Sequence, residues 1–139
     1  AKTATESEMP NVAFLRTQIE LIDRCFAPGE VDEIWITFPD PQTKYRRTKH
    51  RLTGEDFLEK YACILRSDGV LHLKTDSAFL HGYTLGLLHG KGHEVLYAQH
   101  DLYRDDCAPE ELKTIQTFYE KKYLETGTPI TYIRFRLRR

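Results

Sequence analysis

Cysteine is sparse in this chain. Cys25, Cys63 and Cys107 lie far apart, with no Cys-x-x-Cys spacing. That argues against a disulfide framework and a structural zinc site, and makes reduced thiols in a cytoplasmic protein the default. Long apolar runs are missing too: none approaches the ~18 residues that a membrane-spanning helix needs, and no secretory signal opens the chain. Neither charge sign is in excess, since 20 Lys and Arg stand against 21 Asp and Glu for a formal net charge of −1. A histone-like or coat-like polycation is thereby excluded. There is no P-loop, no Gly-x-Gly-x-x-Gly and no Ser/His/Asp arrangement. His89 and His93 are four apart, but Gly90 and Gly92 break the helical face they would share, so no metal is expected. An initiator Met is lacking as well. Ala1-Lys2-Thr3-Ala4-Thr5-Glu6 resembles the end of a helix, and a fragment of a longer protein is expected.

The composition that remains is ordinary. In 139 residues, 40% hydrophobic and 29% charged content suffice for one domain, residues 1–139, with a real core. Periodicity predicts a helix tail over 1–8, a short strand Val12–Leu15 and a helix over 19–26. It then predicts a strand over 31–38, buried on both faces, and a helix over 55–65 capped by Thr53. A strand over 70–74, a helix over 78–89, a strand over 93–98, one long helix over 110–125 and an alternating strand over 129–137 complete the order. This β-α alternation predicts an α/β fold: a doubly wound, mostly parallel, Rossmann-like sheet without its first strand or strands, the last strand antiparallel.

Charge placement is more telling than its total. Five Lys/Arg and one His fall between Lys44 and Arg51, and the remainder of the chain is acidic, with fifteen Lys/Arg against twenty-one Asp/Glu. The basic run follows Trp35-Ile36-Thr37-Phe38-Pro39-Asp40-Pro41, an apolar strand that ends at an acid held between two prolines. Proline restricts both itself and its predecessor, so this is a stiff strand exit. A carboxylate at the carboxyl end of a buried strand is where open α/β sheets keep their ligand chemistry. The basic lip suits phosphates, and Tyr45 within it suits stacking on a base. The duller alternatives are a turn former for Asp40 and a solvated loop for the lip. Asp76, ending the next strand, would face the same crevice or cap the next helix, and Gln18 would leave the preceding strand at the same edge. Thr117-Phe118-Tyr119-Glu120, on the residues alone, is a surface turn with two core aromatics.

Together these motifs resemble the carboxyl-terminal two-thirds of the bacterial tRNA (guanine-N7-)-methyltransferases. The likeness rests on Phe38-Pro39-Asp40-Pro41, Lys44, Arg51-Leu52-Thr53, Gly69, His72-Leu73-Lys74-Thr75-Asp76 and Thr117 with Tyr119-Glu120. It implies a class I fold that uses S-adenosylmethionine to methylate a guanine of the tRNA variable loop, with tRNA as partner. It gives Asp40 a catalytic and cofactor-adjacent place, Gln18 a cofactor contact, and Lys44, Asp76, Thr117, Phe118, Tyr119 and Glu120 substrate contacts. Arg46, Arg47, Lys49 and Arg51 would hold tRNA phosphates. Gln18 stands where the family commonly has an acid, and Gln42 where it has a tryptophan. The family's glycine-rich cofactor segment is not among these residues. A noncatalytic RNA-binding module, or a methyltransferase for another base, are the alternatives; monomer and homodimer are both open.

Overall fold

Alternation along the central strands decides which side of the sheet becomes the core. The computed structural model describes residues 2–139. Its strands are β1 (Val31–Thr37), β2 (Leu65–Thr75), β3 (Glu94–Gln99) and β4 (Thr131–Arg136). Its helices are α1 (Lys2–Glu6), α2 (Glu55–Ile64), α3 (Ala78–Gly90), α4 (Glu111–Thr114) and α5 (Phe118–Glu125), and 3-10 turns cover Ile19–Arg24, Tyr45–His50 and Leu102–Arg104. Ile36, Leu71, Leu73, Ile133 and Phe135 cluster with Phe57, Leu58 and Tyr61 of α2 and Leu80 and Leu88 of α3, none more than 6% exposed. Each such side chain contributes about 1.5–3 kcal/mol on burial. The opposite face carries His72, Lys74 and Tyr132, and a smaller cluster of Leu102, Leu112 and Tyr132 covers part of it.

The strand order is β1-β2-β4-β3. β1 and β2 are parallel, while β4 lies antiparallel between β2 and β3. Three strands therefore run one way and the last runs against them, as the sequence predicts. The pairs Thr37↔Lys74 and Thr75↔Thr131 bring the ends of β1 and β2 and the start of β4 to one edge.

Several predicted elements are corrected. Residues 12–15 form no strand: they find no ladder partner, and Phe14 and Leu15 are exposed. Residues 19–26 give a six-residue 3-10 turn, because their closing bonds span three residues, Leu21 N to Gln18 O and Cys25 N to Ile22 O. β1 is an edge strand in which only Ile36 is buried, so it is not covered on both faces. Thr53 does not cap α2: its hydroxyl bonds Thr84 of α3 at 2.7 Å, and Gly54 takes the cap position. The long helix over 110–125 is two helices. Gln116 Nε2 donates to Lys113 O at 2.9 Å to finish α4, and Thr117 Oγ1 accepts from Glu120 N at 3.2 Å to start α5. The helix tail appears as α1, and Ala1 lies outside the described residues.

β2 begins at Leu65 rather than Val70. Its register against β1 jumps from Val31↔Leu65 to Glu33↔Val70, leaving a bulge at residues 66–69. Arg66 pins that bulge to Asp32 at 2.8 Å and to Asp68 at 2.7 Å.

Candidate active site and nucleic-acid interface

The exit of β1 is a strained corner. Phe38 has φ 49°, a left-handed conformation that is costly for a bulky residue. Two interactions hold it there: its N–H donates to Lys74 O at 2.8 Å, and its ring stacks on Tyr123 of α5 with centroids 5.9 Å apart. The corner turns Pro39-Asp40-Pro41 out of the sheet. Asp40 is exposed, and its Oδ1 accepts from Gln42 N at 2.9 Å, so the acid is also a turn former. Gln42 takes the second strained φ, 47°, in place of any stacking aromatic.

Asp76 follows β2 at the same edge, half-buried. Its charge, ahead of burial and a hydrogen bond, pushes the Tyr123 phenol above its usual range. Tyr123 thus stacks on Phe38 at one strand exit and feels the charge of Asp76 at the other. Gln18 does not leave a strand. It precedes the Ile19–Arg24 turn and is exposed, while Ile19 beside it lines a groove of about 500 Å³ with Trp35, Thr37 and Pro39.

The basic run folds as an ordered 3-10 turn and not as a loose loop. Asp40, Lys44, Arg46, Arg47 and His50 line one open depression of about 650 Å³. Lys49 is exposed on the same turn, and Tyr45 is 93% exposed with its ring free. Arg47 Nε reaches Gln42 Oε1 at 3.1 Å, which braces the lip on the strand exit. Arg51 is a correction. Only 5% exposed, its guanidinium lies over the rings of Phe79 and Tyr83 at 4.9 and 4.4 Å and donates to Gln42 O. It clamps the loop to α3 and is too buried to meet a phosphate.

The Thr117–Glu120 motif divides. Phe118 and Tyr119 are 77% and 59% exposed, so they are not core aromatics. Thr117 caps α5, and Glu120 points inward with no exposure at all. Glu120 Oε1 lies 2.5 Å from Lys74 Nζ and accepts from Tyr103 at 2.5 Å. Lys74 also donates to Leu112 O at 2.5 Å. Removing one partner of such a buried pair strands the other charge, at a cost of about 3–5 kcal/mol. The pair borders a largely apolar cavity of about 480 Å³, with Trp35, Thr37, Leu112 and Thr117 among its walls.

Lys74 and Tyr123 are the residues that sequence reasoning gave no role. Lys74 had a signal, since a cation at the end of the apolar strand predicted over 70–74 calls for a buried acid. Tyr123 had none, being one more aromatic on a helix. On the same sheet face Trp35 stacks flat on His72 at 4.0 Å, and His72 touches Glu33 and Tyr132, each at 2.6 Å. Among the described residues no group of three or more His, Cys, Asp or Glu is placed to hold a metal, and no helix is long and apolar enough to cross a membrane.

An acid at a strand exit, facing a cationic depression on a doubly wound sheet, is what the comparisons meet. A family model described as "Putative methyltransferase" matches residues 1–133. The chain belongs to this methyltransferase family. It is 66% identical, over 99% of its length, to a protein of Christiangramia forsetii named tRNA (guanine-N(7)-)-methyltransferase, and 51% identical to the protein of that name in Porphyromonas gingivalis. It spans 62% and 55% of those relatives. Among solved structures, geranyl diphosphate C-methyltransferase from Streptomyces coelicolor superposes with TM-score 0.51 at 15% identity, over 96% of this chain and 57% of that one. This last likeness is of fold alone.

Proposed function

We propose that the whole protein, a cytoplasmic enzyme in which residues 1–139 form part of one methyltransferase domain, transfers a methyl group from S-adenosylmethionine to N7 of a guanine in the tRNA variable loop. The observation that carries this reading is the shared depression: Asp40 and the cations Lys44, Arg46 and Arg47 line one hollow at the edge where β1 and β2 end. The names of the close relatives support it.

The residues fit part of the cofactor. Glu120 Oε2 is buried without a partner beside the cavity at the strand ends, which suits a polar donor arriving from outside the protein. Asp40, with Gln18 near the outer groove, would hold the cofactor, which supplies an electrophilic methyl group when bound. Guanine N7 has a free lone pair and no proton to lose, so the protein needs no strong base. Its task is alignment. A carboxylate suits guanine because N1–H and the N2 amino group are adjacent donors; Asp40 or Asp76 takes them while the other places cofactor or ribose. Tyr119 and Phe118 offer rings to the extruded base, whose unstacking costs a few kcal/mol. Lys44, Arg46, Arg47 and Lys49 offset that cost by pairing with phosphates.

In the full-length protein, Asp40→Ala is expected to abolish N7 methylation, followed by mass mapping of the product, while tRNA affinity stays within about twofold, as for a site that positions without gripping phosphate. Unchanged turnover would sink the role given to Asp40.

A further inference from the structure

Asp40 and Asp76 leave neighbouring strands, and a continuous run of contacts joins them with Arg51 at its middle. The run starts at the acid. Gln42 N donates to Asp40 Oδ1 at 2.9 Å, which fixes the side-chain rotation left free by the restricted backbone ahead of Pro41. The Gln42 peptide is held on its other side too, where its carbonyl accepts from Arg51 Nε at 3.1 Å. Gln42 has φ 47°, and a residue other than glycine keeps that conformation only where its surroundings hold it. From there the Arg51 guanidinium lies over Phe79 and Tyr83 of α3, 4.9 and 4.4 Å from the ring centres. α3 leads back to Asp76. Ser77 Oγ accepts from Leu80 N at 3.1 Å to cap the helix, and Ser77 N donates to Thr75 Oγ1 at 3.1 Å. Asp76 stands between those two residues, so its backbone is carried on the same frame.

Arg51 is placed as a strut and not as a surface cation. It is 5% exposed, and its backbone is bonded at both ends, N to Thr48 O at 3.1 Å and O to Gly54 N at 2.8 Å. The root of the side chain, its Nε and its guanidinium face are thus each fixed by a different element.

We propose that Arg51 is a positioning residue for methyl transfer: acting through the Gln42 peptide, it sets where the Asp40 carboxylate stands relative to Asp76. The proposal rests on the methyl-transfer reading, which gives those two acids the guanine and the cofactor. Alignment is the task there, and a displacement of about 1 Å costs up to about a hundredfold in rate.

The test compares Arg51→Gln with Arg51→Met in the full-length protein, using S-adenosylmethionine and unmodified tRNA. Both substitutions are uncharged and close in size, so both lose the cation over the rings. Glutamine carries its Nε2 as many bonds from Cα as arginine carries Nε, and so keeps a donor for the Gln42 carbonyl. Methionine has a methyl group at that place. Arg51→Met is expected to lower kcat about tenfold, with KM for tRNA and the salt slope of tRNA binding unchanged. Arg51→Gln is expected to keep kcat within about threefold of native. Thermal unfolding sets the assay temperature below both transitions. A role in packing or charge alone lowers the two variants equally, so equal kcat values, near native or far below it, overturn the proposal alone. Should Arg51→Met fail to fold, Arg51→Gln decides by itself: turnover near native supports the strut, and a loss of about tenfold overturns it. Native protein that forms no 7-methylguanosine overturns the methyl-transfer reading and this proposal together.

Discussion

Two arginines four positions apart in sequence show what a residue's charge does and does not determine. Arg47 is exposed on the lip, and Arg51 is held between aromatic rings. Replacing Arg46 and Arg47 by Ala in the full-length protein should weaken tRNA binding and reduce the slope of log affinity against log salt by about two, one for each phosphate no longer neutralised; filter binding across a salt series reads this directly. Arg51→Ala should leave that slope unchanged and lower stability by about 2–3 kcal/mol, through weaker cation–π packing and an orphaned carbonyl. Sequence spacing placed all four lip cations and Arg51 in one run, and nothing local distinguishes them. The rings that claim Arg51 come from α3, about thirty residues downstream. Asp40 was legible for the opposite reason: its conformation is set by its own neighbours, Pro39 and Pro41. Glu120 was legible as important but not as buried, because its partner Lys74 lies in another element.

Among the elements, the bulge at the start of β2 has the tightest steric requirement. A Cβ on Gly69 would stand 2.8 Å from Leu65 Cδ2, 3.0 Å from Arg66 O and 3.2 Å from Asp32 O. Two of these are backbone atoms with little room to retreat. Gly69→Ala is therefore expected to cost about 1–3 kcal/mol, as overpacking does, seen as a lower urea midpoint with unchanged slope. Periodicity found every strand of the sheet but misjudged its boundaries. Periodicity gives Leu65 to the end of a helix because an apolar residue there suits both, and pairing with Val31 decides it. The split of α4 from α5 was hidden likewise. Gln116 and Thr117 are tolerable helix residues, and they break the helix by side-chain bonds to its own backbone. Val12–Leu15 has the composition of a strand and lacks only a neighbour.

For the molecule as a whole, three histidines set the response to acid. Burial is the leading cause that holds His72, His81 and His93 below the ordinary histidine range; for His72 the nearby Arg134 adds to it and Glu33 opposes it. In the unfolded chain these groups titrate near ~6.5. Below that pH the unfolded state binds protons that the folded state refuses, so stability present at neutral pH is lost as the pH falls. The urea midpoint should be lower at about pH 5.5 than at about pH 7.5, and His72→Gln/His81→Gln should flatten the difference. An equal slope in that variant would move the effect to other groups.

The place of β4 has a consequence in time. Among the described residues β3 pairs with β4 alone, and β4 follows it about thirty residues later in sequence. On the ribosome, β3 must wait for residues 131–136 before it can join the sheet at all. Until then the row of carbonyls and amides along β2 that β4 will cover stands open, beside an apolar surface that includes Leu71 and Leu73. Pairings this distant along the chain form slowly, and an open ladder is a template for other chains. Stopping synthesis before Thr131 should therefore yield aggregates where a few more residues yield a folded protein, so that the yield of native chain steps up over the length of one short strand.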